Sequence, residues 1–223
     1  MNSTEQGAIE QEIADLRQGL NALGISYDTK IIQKFQKYVE ILYEYKKKIH
    51  LLSDQDYNRI AKRHFLTALM AFHYIKDNQV LCDIGTGAGF PSVPLKIVKC
   101  DVGLTLFESV KKRAKFLSYL INKLALSDVE LIDERAEYYR EKRFDVILLK
   151  AVGKMKKFIN IIDHLIKPDG IAIFYKTHKV EDEIKAADKK LKEKGYEVLV
   201  EKSFTPVEQA PLALVVVRRK IER

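Results

Sequence analysis

Through roughly the first 75 positions apolar residues recur at helical spacing, and no apolar–polar alternation interrupts them, so this stretch predicts helices. Ile9, Ile13, Leu16 and Leu20 line one face of a helix that Gly24 ends. Beyond the N-cap candidate Asp28, a second face carries Ile31, Phe35, Tyr38, Leu42 and Tyr45, while Tyr57, Ile60, His64, Ala68 and Ala71 mark a third helix. Residues 1–76 therefore read as an N-terminal helical cap, and 77–223 as a second domain.

From Gln79 onward the period changes. Short β-rich runs, Val80–Ile84, Val102–Phe107, Val129–Ile132, Phe144–Leu149 and Ile171–Tyr175, are separated by amphipathic stretches such as Val110–Leu124 and Lys154–Ile166. Alternation of this kind implies right-handed crossovers and a parallel sheet with helices on both faces. After a helix over Glu181–Lys194, two more strands follow, Tyr196–Ser203 and Leu212–Arg218. The link between them, which holds Pro206 and Pro211, is too short for a crossover helix, so the last strand is expected to run antiparallel to its neighbour.

The most informative segment is Val80-Leu-Cys-Asp83-Ile-Gly85-Thr-Gly87-Ala-Gly89-Phe90-Pro91, a strand that empties into a glycine-rich turn before a helix. Glycines at alternate positions allow a tight turn and let a ligand approach main-chain atoms that a Cβ would shield. The spacing is G-x-G-x-G. It matches neither the dinucleotide fingerprint G-x-G-x-x-G nor the phosphate loop G-x-x-x-x-G-K-[ST]. The next strand ends in Glu108, at the position where an acid accepts hydrogen bonds from the ribose hydroxyls of a nucleoside cofactor. A solvated strand-end glutamate would look the same by itself; the neighbouring glycine loop makes it a cofactor signal. Glu134-Arg135-Ala136-Glu137 follows the third strand, where the cofactor's base would pass, although a solvated helical turn has the same composition. Lys150, a cation closing an apolar run, projects into the crevice at the strand ends and can meet a carboxylate or a phosphate.

Five parallel strands and a terminal hairpin are the strand set of an α/β class I S-adenosylmethionine-dependent methyltransferase, Rossmann-like and seven-stranded. Together these residues resemble the GidB/RsmG family, bacterial methyltransferases of guanine N7 in small-subunit (16S) ribosomal RNA. The resemblance covers nearly the whole chain. It rests on Arg63-His64-Phe65-Leu66 in the cap, on Asp83 to Pro91 with Pro94-Leu95, on Lys112-Arg113-Ala114-Lys115-Phe116-Leu117, and on Lys176 near the end of the fifth strand. It implies an enzyme that binds S-adenosyl-L-methionine at Gly85, Gly87, Phe90, Glu108, Ala136, Glu137 and Lys150, and substrate at Arg63, His64 and Lys176. Some family positions differ here: Leu149-Lys150-Ala151 stands for Ser-Arg-Ala, Tyr175-Lys176-Thr177 for Leu-Lys-Gly, and Leu212-Ala213 for Arg-His. Another departure, His50-Leu51-Leu52, stands for Asn-Leu-Thr, and Thr67-Ala68 for Asp-Ser. Most of these face the substrate side, so methylation of another RNA site or of a small molecule stays open, as does a non-catalytic RNA-binding role.

Composition narrows the partners. Of 223 residues, 39 are Lys or Arg and 31 Asp or Glu, leaving +8 and favouring an acidic partner, here RNA and the 30S subunit. Basic clusters at Lys46-Lys47-Lys48, Lys111-Lys112-Arg113-Lys115, Lys154-Lys156-Lys157 and Arg218-Arg219-Lys220 are candidate phosphate contacts, or simply charged solvated faces. Two cysteines form no disulfide framework, and no zinc-site spacing is present. The longest apolar run, Leu212–Val217, is too short to cross a bilayer, and the N-terminus lacks a leader pattern. A cytoplasmic monomer is expected. His64 reads either as a packed core residue or as a proton acceptor, and its helical face with Ile60 and Ala68 favours the former.

Overall fold

A computed structural model describes residues 3–220. The cap opens with α1 (Ser3–Ala22) and α2 (Thr29–Tyr45), whose N-terminus is capped by Asp28, its carboxylate accepting the Ile31 N–H at 2.8 Å. The third cap helix is broken, unlike the continuous one expected. It begins as a π turn over Ala61–Phe65, runs through a single α turn, α3 (Leu66–Leu69), and ends in a 3-10 turn at Phe72–Tyr74. Its opening N–H groups have no cap of their own. Glu12 of α1 supplies one instead, its carboxylate accepting from Ile60 N at 3.0 Å and Ala61 N at 2.6 Å. Burial pushes the Glu12 carboxyl up to about 7 against these bonds.

The remaining elements alternate as the pattern predicts: β1 (Val80–Ile84), α4 (Ser92–Val98), β2 (Gly103–Phe107), α5 (Lys111–Lys123), β3 (Val129–Ile132), β4 (Phe144–Lys150), α6 (Ile159–Leu165), β5 (Ile166–Lys176), α7 (Glu181–Glu193), β6 (Tyr196–Phe204) and β7 (Pro211–Arg219). The helix expected over Lys154–Ile166 is a 3-10 turn followed by the shorter α6, because Ile166 leaves the helix to pair with Phe144 and extends β5 backward. The seven strands take the order β3-β2-β1-β4-β5-β7-β6. β1 to β5 run parallel, and β7 lies antiparallel to both β5 and β6.

Strand periodicity divides the sheet's side chains between two cores. Leu81, Leu104, Leu106, Val146, Leu148 and Ile173 face α4, α5 and the cap in one buried cluster. Cys82, Phe107, Ile147, Leu149, Ala172 and Val215 face α6 and α7 in the other. Both faces are dry, so β4 reads apolar at nearly every position. The cap shares the first core directly. Tyr38 of α2 is fully buried, donates to the Ala88 carbonyl at 2.6 Å and stacks on Phe90 at 5.5 Å, tying the cap to the glycine turn.

Candidate active site

Register sets the crevice. Ile84 pairs with Phe107, Phe107 with Ile132 and Lys150 with Tyr175, so the carboxyl ends of these strands finish side by side and their loops share one edge. At that edge Gly85 and Gly87 hold φ +72 and +59, and Gly85 and Thr86 donate to the Phe107 carbonyl at 2.9 and 3.3 Å. A Cβ on Gly87 would meet no protein atom within 4 Å, so the loop's backbone borders open space rather than packed side chains.

Glu108 is 4% exposed and locks this loop to the next helix. Its two carboxylate oxygens accept the Gly87 N–H at 3.0 Å and the Val110 N–H, just before α5, at 2.9 Å. Each oxygen keeps a lone pair for a further donor. Beside it lies a pocket of about 360 Å³ whose walls include Gly85, Glu108, Arg113, Ala136, Glu137 and Val152. The pocket fits a nucleoside: backbone with no Cβ on one wall, an ordered carboxylate at the β2 end, and apolar Val152 and Phe158 facing it. Of the residues assigned to the cofactor from sequence, Gly85, Glu108, Ala136 and Glu137 line this one space, and Gly87 is bonded to Glu108. Arg113, read from sequence in a basic cluster and in the run Lys112–Leu117 but not assigned to the cofactor, joins them.

Phe90 and Lys150 stand elsewhere, behind the glycine turn. Phe90 is 6% exposed, sandwiched between Tyr38 and His64, with the His64 ring at 4.8 Å and nearly parallel. The Lys150 ammonium sits 5.7 Å from the centre of the Phe90 ring. Beneath it, Asp83 is fully buried and accepts the Ser92 hydroxyl at 2.6 Å and the Ser92 N–H at 3.3 Å. Burial drives the Asp83 carboxyl up to about 7, partly offset by those bonds and by Lys150. The same burial lowers Lys150, with Asp83 and Asp56 opposing it.

His64 is strongly perturbed. Burial, reinforced by Lys150, pushes it down to about 3, so the ring is neutral at pH 7. Both ring nitrogens are buried without a hydrogen-bond partner among the described residues; Asp56 Oδ2 lies 3.8 Å from Nε2, too far for one and no ion pair with a neutral ring. Arg63 is held by Asp56 at 2.9 Å and by Glu208 of the β6–β7 loop at 3.5 Å; Glu208 also binds Arg59. Lys176 donates to the Gly153 carbonyl at 2.6 Å and to Glu183 at 2.8 Å. Of the three residues assigned to substrate, Arg63 and His64 lie on either oxygen of Asp56, while Lys176 stands apart at Gly153 and Glu183. Tyr38, Asp56 and Glu208 were not foreseen. Single aromatic and acidic residues in a helix, a turn and a loop carry no local signal of the partners that folding gives them.

Outside the crevice, the basic clusters divide. Lys46, Lys48, Lys111, Arg218 and Arg219 are ion-paired. Lys47, Lys112, Arg113, Lys115, Lys154, Lys156 and Lys157 make no ion pair among the described residues. Among those residues also, no helix is long and apolar enough to cross a membrane, and no group of three or more His, Cys, Asp and Glu is placed to hold a metal ion.

Comparison with known proteins identifies the arrangement. TYW2 of M. jannaschii, solved in complex with AdoMet, superposes with a TM-score of 0.57 at 20% identity, covering 78% of this chain and 80% of that one, which establishes the class I fold. The ribosomal RNA small subunit methyltransferase G of Oenococcus oeni is 37% identical over 207 residues, covering 89% of this chain and 85% of the relative. Its counterpart in Bacillus subtilis is 30% identical over 215 residues, covering 93% and 90%. Residues 31–210, from the second cap helix to the β6–β7 loop, match the family described as GidB, rRNA small subunit methyltransferase G, and the chain belongs to that family of S-adenosylmethionine-dependent methyltransferases.

Proposed function

We propose that this protein transfers a methyl group from S-adenosylmethionine to N7 of a guanine in 16S ribosomal RNA of the small subunit, in the cytoplasm. When bound, the cofactor supplies an electrophilic methyl on a sulfonium. Gly85, Gly87, Glu108, Ala136 and Glu137 would hold it, Glu108 through acceptor capacity left after its two backbone bonds. Phe90 and Lys150 stand between this pocket and the substrate side, where Arg63, His64 and Lys176 would receive the RNA.

The observation that carries the reading is a crevice rich in positioning groups and poor in bases. Guanine N7 has a lone pair and no proton, so its attack needs alignment, which alone lowers a barrier by several kcal/mol. Transfer to an exocyclic amine would call for a proton acceptor. His64, neutral with both nitrogens enclosed, and Asp83, sealed under Ser92, are poorly placed for that task. Incubation with labelled S-adenosylmethionine and either 30S subunits or protein-free RNA from a strain lacking this protein, followed by mapping of the methyl, tests the reading. A single N7-methylguanosine in 16S RNA is expected. Label in another RNA, on an exocyclic amine, or nowhere would overturn it. Leu212 and Ala213, where the family resemblance calls for Arg-His, favour one alternative, the same chemistry at another RNA site, and the map distinguishes the two.

A further inference from the structure

On the far side of the turn at 151–153 from the Glu108 pocket, the ends of β4, β5 and β7 enclose a second cavity of about 550 Å³. Tyr175, Leu212 and Thr67 contribute to its walls, with Lys150, Lys154 and Lys176 as its cations near the turn. Three of its polar side chains, Tyr175, Lys176 and Glu183, are already engaged. The Tyr175 hydroxyl donates to the Ala68 carbonyl at 2.8 Å, and Lys176 is committed to Gly153 and Glu183. Of its two cations without an acceptor among the described residues, Lys154 is exposed and Lys150 is half-buried. It makes no hydrogen bond and no ion pair among the described residues, although it is enclosed enough for burial to lower its pKa. A half-buried ammonium without a protein acceptor keeps its three donors for a ligand that enters the cavity.

The acceptor's identity follows from the reaction proposed above, on which this inference rests. Along its Hoogsteen edge guanine presents two adjacent acceptors, N7 and O6, whereas adenine presents N7 and an amino group. With N7 turned toward the methyl donor, O6 is the next atom along that edge. We propose that the second cavity takes the target base and that Lys150 donates to its O6, making this lysine a specificity-determining residue for guanine over adenine. Adenine would set two donors against each other and leave Lys150 unpaired. Once N7 is methylated the ring is cationic and O6 a poorer acceptor, so the contact is stronger before transfer than after it. Its loss is accordingly expected to raise KM for RNA more than it lowers kcat.

The test replaces the mapped guanosine, in RNA assembled into 30S subunits, with 2-aminopurine riboside, which keeps N7 but lacks O6, or with inosine, which keeps both. Wild-type kcat/KM is expected to fall about 10–100-fold with 2-aminopurine and little with inosine. Lys150→Met is expected to show the same fall on guanosine, mostly in KM, with no further loss on 2-aminopurine, while cofactor affinity holds and Lys150→Arg restores discrimination. Equal losses on 2-aminopurine in the wild type and in Lys150→Met would overturn the proposal. So would wild-type enzyme that accepts 2-aminopurine as readily as guanosine, a measurement that stands even where Lys150→Met fails to fold. A 7-deazaguanosine substrate separates this result from failure of the N7 reading: methylation there refutes N7 attack, whereas its absence with 2-aminopurine fully active refutes Lys150 alone.

Discussion

The two halves of the crevice are built on opposite principles. Over the ends of β1 to β3 the loops are tied together through the main chain: Glu108 accepts from Gly87 and Val110, and the glycine turn donates to Phe107. Over β4, the cap and the buried Asp83 of β1, polar groups have too few protein partners. Both nitrogens of His64 are unpaired, Lys150 lacks an acceptor, and Asp83 is displaced to about 7. Satisfied groups hold a shape before any ligand arrives, which suits a cofactor whose structure never varies. Unsatisfied ones cost stability and mark where a partner is awaited, and perturbed titration concentrates at such places.

The largest effect that would break this comparison comes from the satisfied half. Gly87→Val is expected to abolish S-adenosylmethionine binding in calorimetry, because the branched side chain fills the open space along the turn at φ +59. A folded variant with unchanged affinity would show that this space does not hold the cofactor. Glu108→Ala comes next. It leaves the Gly87 and Val110 N–H groups without their acceptor and removes the ribose acceptor, so affinity is expected to weaken by about 1–3 kcal/mol, with a lowered melting temperature. Affinity for a cofactor analogue without ribose hydroxyls equal to that for the intact one would contradict the ribose role.

The unsatisfied half is sharpened by pH. Asp83 binds its proton more tightly folded, at about 7, than at its ordinary 3.8, so its contribution to stability falls as pH rises between those values. His64 has the opposite sign. Its folded value of about 3 lies below its ordinary 6.5, so stability is lost as pH falls from about 6.5 and the unfolded chain takes up the proton. Glu12, raised by burial, adds to the Asp83 direction. Denaturant midpoints at pH 5 and 7.5 are expected to diverge: relative to wild type, Asp83→Asn loses stability on acidification and His64→Phe gains it. Identical pH profiles for the three proteins would mean that neither group is held as described. The smallest effect is at the surface, where Lys111→Ala removes an exposed, solvent-screened pair with Asp133 and is expected to leave the denaturant midpoint essentially unchanged. A larger change there would show that exposed pairs, and not the crevice, dominate the electrostatics.

Local pattern made much of this legible. Strand alternation with amphipathic helices is dictated residue by residue, so the sheet, its last antiparallel strand and the glycine turn with Glu108 beside it could be read before folding was considered. The helix expected through His64 was not so simple. Helical spacing of Ile60, His64 and Ala68 is compatible with an α turn or a π turn, and the chain adopts the latter, with Leu66 N–H reaching back to the Ala61 carbonyl. Nothing near residue 60 announces that Glu12 caps it from another helix.

What the sequence by itself determined is whatever depends on neighbours along the chain: element type, the tight turn that three alternating glycines permit, and the acid at the end of β2. Tertiary structure alone decided the pairings across distance. It set Tyr38 and His64 on either side of Phe90, placed Lys150 over that ring and above Asp83 without an acceptor, and drew Arg63 to Asp56 and Glu208. Hydrophobic periodicity is a short-range code, because burying one face depends only on spacing. Desolvation and charge pairing depend on which groups arrive together from remote segments, so the chemistry of the crevice was settled only when the cap closed on the sheet.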